Sequence, residues 1–570
     1  MEAGIFIIIV GAVAVAAVAR SRGWPAPLLV TVVALAASFL PFIPDLAIDG
    51  HLLLNLVLPP LLYSAALDVS FVSFQRSLPQ IRRLGIGLVV VTAVIVGLVA
   101  WWLMPSLTLP GALLLGAIVA PPDAVSAAAI GRRLGLPRRV MTVLSGESLI
   151  NDATSLTMFR VFTAIVAGSA AFHLGETLWQ FVLAVVVGVL VGVVLGAGLH
   201  QLRMRVSDPV VHGTFGLLAP FGAYAIAEAL GGSGVLAVVA MGLFVGFNAP
   251  RTSYTTRQQE APLWLSADFL LESFVFAYIG LQLPRVIADL NDGDVGPVLL
   301  LSFVVLLLVL VVRPLFVYPA SAWGQWLTRM RLRKWERVKA VRGQVPVQPA
   351  QERRHPLTEE QLRRRLAETK LSWRDNAVVS WAGMRGVVTL ATALAAADLA
   401  GLDDGAAHAI VVVAFVVTVG TLLLQGLTLP WLIRRLDVVD DSEAQEDARQ
   451  LAAVRERSRE AGKAYLRSMR REWASERGEG GLAAFDAFAK RLVKTESDAE
   501  RDDLDAQPRP TYEQFVALSK GWLTVRRQVL LEERDAGNLS EEVMHELITA
   551  MDAEELALDT RGATRPQSRA

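Results

Sequence analysis

The feature that most constrains this chain is a group of polar side chains inside an otherwise apolar, helix-like segment. Residues 140–168 contain no proline and are mostly apolar, yet they include the stretch GESLINDAT. At about 1.5 Å per residue, Asp152 lies roughly 18 Å along such a helix, near the middle of a hydrocarbon core about 30 Å thick. The i,i+4 spacing places Ser148 on the same face as Asp152. Glu147 and Asn151 share the adjacent face in the same way.

This polar stripe predicts a site that handles ions or protons. An ionisable side chain at the centre of a bilayer is costly unless it faces a wet cavity or a partner, and such residues mark functional sites. The alternative is a structural polar network that joins helices.

The composition indicates a polytopic membrane protein with a soluble C-terminal part. Hydrophobic residues make up 53% of the chain, and apolar runs close to a bilayer span recur along it. Thirteen runs qualify as spans, at 4–19, 25–43, 51–68, 84–104, 111–131, 140–168, 177–201, 213–231, 233–249, 262–282, 297–323, 372–398 and 406–433. We therefore predict a transmembrane domain at 1–435, with a basic cytoplasmic loop at 326–371. The charged remainder, 436–570, is predicted to be a helical cytoplasmic tail, for which regulation is a hypothesis.

Basic residues give the predicted orientation. Arginine and lysine fall in every second connection, from Arg20 and Arg22 to the basic loop, and the alternate connections are nearly free of them. Because positive charge stays on the cytoplasmic side, the N-terminus is expected outside and the C-terminus in the cytoplasm. The expected location is the plasma membrane, with a bacterial inner membrane as the setting.

Span five contains a helix break next to an acid. Pro121 and Pro122 each lack a backbone donor and clash with the preceding turn, so the helix must stop before Asp123. A broken helix at membrane depth is tolerated where it is buried in protein or lines a cavity, and transporters bind ions at such breaks. A packing kink with a capping aspartate is the alternative.

Span twelve contains a second break, where Gly383 and Gly386 flank Arg385. Arg313, beside a proline in span eleven, is another cation at membrane depth. We expect these two arginines to pair with acids from the set Asp123, Glu147, Asp152, Asp268 and Glu272. Two interrupted helices in separate halves of the chain fit an inverted-repeat transporter whose breaks cross at the membrane midplane.

The segments that carry these residues resemble the sodium/proton exchangers of the monovalent cation:proton antiporter-1 family. The resemblance rests on AIVAPPDAV, the basic turn RRLGLPRR, LSGESLINDATSLTMF and WAGMRGVVTLATAL, with weaker matches in LPPLLYSAALDV, GVLAVVAMGLFVGF and ESFVFAYIGLQL. It covers about residues 1–435 in the family's order and spacing. It implies a 13-helix fold with a six-helix core domain, a dimerisation domain and a homodimer in the lipid bilayer.

The resemblance also implies roles for the polar stripe. By it, Asp152 is the ion-binding and proton-carrying carboxylate, and Asn151 is its neutral partner. Asp123, Glu147 and Ser148 match positions that line the family's cation site. The expected Na⁺ ligands are therefore Asp152, Asp123 and Ser148.

Four further positions match or depart from the family pattern. Arg385 and Arg313 fall where the family keeps buried arginines. Pro122 stands where many prokaryotic members have threonine, which removes one hydroxyl ligand. Ser64 stands where many members carry an acid.

The chemistry of exchange follows from one shared carboxylate. A hard monovalent cation takes oxygen ligands, and a desolvated carboxylate holds either a proton or the cation. Competition for Asp152 therefore suffices for obligatory antiport. Neutral Asn151, together with the family comparison, favours one cation per proton and no net charge moved.

The predicted function is Na⁺/H⁺ antiport without a cofactor, with K⁺/H⁺ antiport on the same fold as the alternative. A cation channel or a membrane sensor is more remote, because no repeated filter loop and no nucleotide motif occur. An enzyme is not expected, since cysteine is absent and the seven histidines are scattered without an HExxH or GxSxG pattern. No nucleic-acid partner is expected.

Overall fold

The apolar runs of the sequence form helices in the computed structural model. The structure describes residues 2–41, 48, 50–168, 174–206, 208–288, 295–342, 371–397, 399, 401–438, 441–495 and 512–563. These residues contain no strand. The α-helices are α1 (Glu2–Arg22), α2 (Ala26–Ala37), α3 (Gly50–Leu56), α4 (Leu58–Leu67), α5 (Phe71–Arg82), α6 (Val89–Leu103), α7 (Leu109–Val119), α8 (Ala124–Leu134), α9 (Arg138–Val166), α10 (Leu174–Arg205), α11 (Pro209–Ala229), α12 (Gly234–Asn248), α13 (Tyr254–Leu281), α14 (Leu283–Ala288), α15 (Val295–Arg342), α16 (Trp373–Trp381), α17 (Val387–Ala397), α18 (Asp404–Leu436), α19 (Asp441–Thr495), α20 (Tyr512–Asp535) and α21 (Glu541–Ala563).

Many of these helices are long and apolar enough to cross a bilayer. Within the described ranges nine segments meet that criterion by length and composition: Gly50–Leu67, Phe71–Leu103, Arg138–Val166, Trp179–Arg205, Val210–Ala229, Gly234–Arg251, Tyr254–Ala288, Val295–Leu327 and Asp404–Leu436. Shorter apolar helices are Ala26–Ala37, Leu109–Val119 and Val387–Ala397. The all-α prediction is thus confirmed over the described part of the chain. The count of thirteen crossings stays a prediction.

The contacts between Cα atoms divide the chain into two compact units. The first comprises Met1–Ala249 and Gln258–Val439, and the second comprises Pro250–Arg257 and Asp440–Ala570. The second unit therefore includes a short segment that follows α12 and extends through the first turn of α13, which the sequence did not predict. Of the predicted basic loop 326–371, α15 accounts for the part up to Arg342, and residues 343–370 lie outside the described residues.

Helix α9, which carries the polar stripe, is central in the first unit. It packs against α5, α7, α8 and the π-helical turn Arg83–Leu88. The neighbouring helices α6 and α7 pack closely together, as do α15, α16, α17 and α18 in a second group. A separate set, α4, α10, α11 and α12, packs mainly within itself.

Asp375 forms a capping box at the start of α16 and also binds a residue of α9. The Ser372 hydroxyl accepts a hydrogen bond from the backbone N–H of Asp375, whose carboxylate accepts one from the Ser372 N–H. The same carboxylate accepts a hydrogen bond from Arg139 Nε at 3.0 Å and is buried. The first turn of α9 is therefore held to the first turn of α16, the helix that ends just before Gly383 and Arg385.

In the second unit, α20 packs against both α19 and α21. Its apolar core contains Leu466, Phe485, Trp522, Leu530 and Leu547 among other residues. Burial of these side chains gives the unit a core of its own.

Candidate ion-binding site

The first predicted helix break lies between α7 and α8. Helix α7 ends at Val119, α8 begins at Ala124, and the four residues between them are not helical. Pro121 and Pro122 occupy this gap, as their missing N–H groups require. Asp123 follows them directly and is half-buried.

The second predicted break lies between α16 and α17 and contacts the first. Helix α16 ends at Trp381 and α17 begins at Val387. Across the two gaps, the backbone N–H of Asp123 donates to the carbonyl of Met384 at 2.6 Å. A Cβ atom at position 386 would overlap the Asp123 carboxylate, so this close approach requires Gly386. The structure thus brings together two segments that are about 260 residues apart in the chain.

Asn151 joins α9 to the first break. It is fully buried, and its Nδ2 donates to the Pro122 carbonyl at 2.5 Å. One turn further on, the Ser155 hydroxyl donates to the Ala117 carbonyl at 2.9 Å. The Asn151 Oδ1 atom is buried and has no hydrogen-bond partner among the described residues. Ser155 therefore satisfies a carbonyl whose helical donor is missing at Pro121. Asn151 holds the Pro122 carbonyl, and the oxygen of its amide stays available.

Asp152 follows Asn151 on α9 and is buried, with 8% of its surface exposed. The residue before it, Asn151, bonds the carbonyl of Pro122, which immediately precedes Asp123. Ser148, one turn earlier on the same helix, is half-buried. Two acids and a hydroxyl thus come from the polar stripe and the first break, and these are the oxygen ligands a hard cation takes.

Glu147 is bound to an arginine. Arg313 Nη1 donates to Glu147 Oε1 at 2.6 Å and Nη2 donates to Oε2 at 2.8 Å, while Nε donates to the Val379 carbonyl at 3.0 Å. Both side chains are almost fully buried. A bidentate pair of this kind neutralises both charges and occupies both carboxylate oxygens. Of the five acids expected as partners, the one that pairs with Arg313 is therefore Glu147.

The prediction that Arg385 pairs with an intramembrane acid is wrong. Within the described ranges its guanidinium forms no ion pair and donates instead to the carbonyls of Val119 at 2.9 Å, Ala120 at 3.1 Å and Gly383. The physical reason is the break itself. The last carbonyls of α7 lack helical donors and carry partial negative charge, which a buried cation satisfies. Pro121 and Pro122 could have indicated this partner for Arg385, because a helix that stops always leaves its last carbonyls without helical donors.

Asp268 and Glu272 do not pair with Arg313 or Arg385 in the described structure. Asp268 instead accepts a hydrogen bond from the hydroxyl of Ser64, which is buried. Position 64 therefore has a carboxylate beside it that comes from α13. Sequence inspection alone did not associate the two residues.

Comparison with known proteins identifies the family. The family model described as sodium/hydrogen exchanger, transmembrane, matches residues 5–435. The chain belongs to this family. An uncharacterised Na⁺/H⁺ exchanger of Mycobacterium tuberculosis is 31% identical over 97% of this chain and 96% of its own length. The Na⁺/H⁺ antiporter ApNhaP of Aphanothece halophytica is 30% identical over 76% of this chain and 74% of its own.

The exchanger also shares its fold with a solved structure. The sodium proton antiporter MjNhaP1 of Methanocaldococcus jannaschii superposes with a TM-score of 0.54 at 18% identity, over 76% of this chain and 97% of that one. The family resemblance inferred from the sequence motifs is confirmed, and the exchanger is a multi-pass membrane protein. Its named relatives are transporters, in agreement with the prediction that it is not an enzyme.

Proposed function

We propose that the exchanger is a secondary active antiporter that moves Na⁺ against H⁺ by competition at Asp152. The observation that carries the proposal is the buried Asn151–Asp152 pair of α9, in which Asn151 bonds the first helix break, and that break in turn contacts the second. Membership in the sodium/hydrogen exchanger family and similarity to a named Na⁺/H⁺ antiporter support it.

The proposed cation ligands are Asp152, Asp123 and Ser148, with the unpartnered Oδ1 of Asn151 as a further oxygen. Glu147, which the sequence placed in the ligand set, acts in our proposal through Arg313, because its two oxygens already accept hydrogen bonds. Arg313 is thereby compensated by Glu147, and Arg385 by the carbonyls at the end of α7. The carboxylates of Asp123 and Asp152 then carry the negative charge that attracts a cation.

Exchange follows from the burial of Asp152. A carboxylate removed from water is unfavourable as a bare charge, so it changes sides of the membrane with either a proton or a cation bound. Neutral Asn151 adds no second titratable group. The proposed stoichiometry is therefore one cation per proton, which is electroneutral.

The proposed architecture has thirteen crossings and inverted repeats, with the breaks after α7 and α16 crossing at the membrane midplane. The N-terminus lies outside, and residues 436–570 form a cytoplasmic tail. The setting is a bacterial inner membrane, and the working unit is a homodimer. A role in pH homeostasis follows from the proposed transport.

The test is dissipation of an imposed ΔpH in everted vesicles or proteoliposomes on addition of Na⁺, K⁺ or Li⁺. Wild-type protein is expected to respond to Na⁺, and vesicles with Asp152→Asn serve as the matched control. A response to K⁺ with none to Na⁺ would replace the proposal by K⁺/H⁺ antiport. A response to no cation would refute it.

A further inference from the structure

A π-helical turn interrupts the candidate span Phe71–Leu103 near its middle. Helix α5 leads into the turn Arg83–Leu88, and α6 continues from it. A π turn takes up about one residue more than a turn of α-helix, so it rotates the faces of the following helix by about 100°. Such turns are rare and occur frequently at functional sites. This one sets which face of α6 meets α7.

The turn lies against α9 at Gly85, which is buried. A Cβ atom placed on Gly85 would lie 2.9 Å from both Cβ and Cγ2 of Ile150 and 3.3 Å from the backbone nitrogen of Asn151. Non-bonded carbon atoms do not pack at 2.9 Å, so the contact depends on the absence of a side chain at position 85. The turn therefore supports α9 at the two residues that precede Asp152.

The chain that follows the turn contacts the first helix break. Ala93 of α6 is buried together with Val89 and with Ala120, the residue before the two prolines. One turn before the break, a Cβ atom on Gly116 would overlap the Ala93 carbonyl, so the backbones of α6 and α7 are also in close contact. Residues 83–93 therefore touch both elements that supply the proposed cation ligands, α9 and the first break.

Added volume at position 85 would change the spacing between these two elements. The packed interior has no room for a methyl group there, so α9 would have to move by a few tenths of an ångström. Asn151 holds the Pro122 carbonyl at 2.5 Å, and a displaced α9 changes that distance and the separation of the oxygens around it. Selectivity among hard cations depends on the size of the cavity and the number and flexibility of its ligands.

We propose that Gly85 is a positioning residue that sets the size of the cation site and thereby the monovalent cation that the exchanger prefers. It supplies no ligand atom of its own and acts through Ile150 and Asn151. The effect on the choice of cation rests on the proposed antiport function. The packing of Gly85 against α9 does not.

The test compares Gly85→Ala with the matched control Gly87→Ala. Both changes add one methyl group to the same turn, but a Cβ atom on Gly87 would lie 3.1 Å from Cζ of Phe316, at the outer end of a ring on α15. The second variant is Ile150→Gly, which removes both carbon atoms that a methyl group on residue 85 would meet. Gly85→Ala is therefore also made in the Ile150→Gly background.

The first measurement is hydrogen exchange of the backbone amides of residues 148–154 in purified protein without Na⁺, read by mass spectrometry. Overpacking raises the population of opened states, so we expect exchange at least about tenfold faster in Gly85→Ala and within about twofold of wild type in Gly87→Ala. In the Ile150→Gly background, Gly85→Ala should add less than about twofold.

Wild-type amide exchange in Gly85→Ala would overturn the packing role, and so would an equal effect of Gly87→Ala. If Gly85→Ala alone does not fold, the Ile150→Gly background should restore folding, because the overlapping atoms are then gone. Failure to fold in both backgrounds would overturn the packing role as well.

The second measurement is the ratio of apparent affinities for Li⁺, Na⁺ and K⁺ in ΔpH dissipation. A misplacement of 1 Å costs about 100-fold, so a shift of a few tenths of an ångström should change at least one ratio by about threefold or more in Gly85→Ala. Gly87→Ala should keep the wild-type ratios.

A lower maximal rate with unchanged ratios in Gly85→Ala would overturn the role in cation choice, since a merely structural defect lowers the rate for all three ions alike. A wild type that responds to no cation would refute the proposed function, and with it the role in cation choice. The amide exchange of the same variants would then still decide whether Gly85 positions α9.

Discussion

Replacing one member of the buried Glu147–Arg313 pair should destabilise the exchanger more than replacing both. The two side chains are 1% and 2% exposed and are joined by hydrogen bonds of 2.6 and 2.8 Å. Neither group can reach water when its partner is lost, so the remaining charge stays buried and uncompensated. Breaking such a pair costs about 3–5 kcal/mol, whereas replacing both partners is often close to neutral.

The assay is the apparent melting temperature of purified protein in detergent for Glu147→Gln, Arg313→Gln and the double variant. At about 2 °C per kcal/mol, as in large soluble domains, a loss of about 3 kcal/mol lowers the melting temperature by roughly 6 °C. We expect at least that loss in each single variant and recovery of at least half of it in the double variant. Asp486→Asn, which breaks an exposed pair with Arg470 in α19, is the control and should change little.

Single variants that melt like wild type would refute the reasoning, as would losses that simply add in the double variant. Exchange activity then tests the role of Glu147. If Glu147 acts only through Arg313, the double variant should regain transport along with stability. A stable double variant without transport would show that the Glu147 carboxylate itself binds the cation.

Four other outcomes are expected. Asp152→Asn should abolish cation-driven proton movement at normal expression, because it removes the shared ligand, and half the wild-type rate would contradict this. Asp123→Asn should be severely impaired and Asp123→Glu partly active, whereas wild-type apparent affinity in Asp123→Ala would make the break a packing device. Arg385→Ala should lower both melting temperature and transport, since each buried carbonyl left unpaired costs about 1–3 kcal/mol, and an unchanged melting temperature would contradict its capping role. Clamping the membrane potential at zero with valinomycin and K⁺ should leave initial exchange rates unchanged. Net charge movement would be driven by about 2.3 kcal/mol per 100 mV, so strong voltage dependence would exclude one-for-one exchange.

Local chemistry explains why several parts of the site could be predicted from residues alone. Pro121 and Pro122 stop a helix wherever they occur, because the missing donors belong to the residues themselves. The helical position of Asp152 within α9 follows from a long apolar run without proline, and the family resemblance follows from contiguous motifs. Helical structure in the apolar runs was also predictable from local sequence, because the hydrogen bonds within a helix need no distant partner.

The pairing of charges depended on tertiary structure. Arg313 and Arg385 were both predicted to be cations at membrane depth, and the sequence offered five acids without the direction in which each helix faces. The folded chain joins Arg313 to Glu147, 166 residues away, and directs Arg385 to the carbonyl of Val119, 266 residues away. Pro250–Arg257 likewise reads as an ordinary connection until Asp552, about 300 residues later in the chain, comes beside Arg257. Which charged groups pair depends on which helix faces meet and on how much water remains between them. Both are properties of the packed chain.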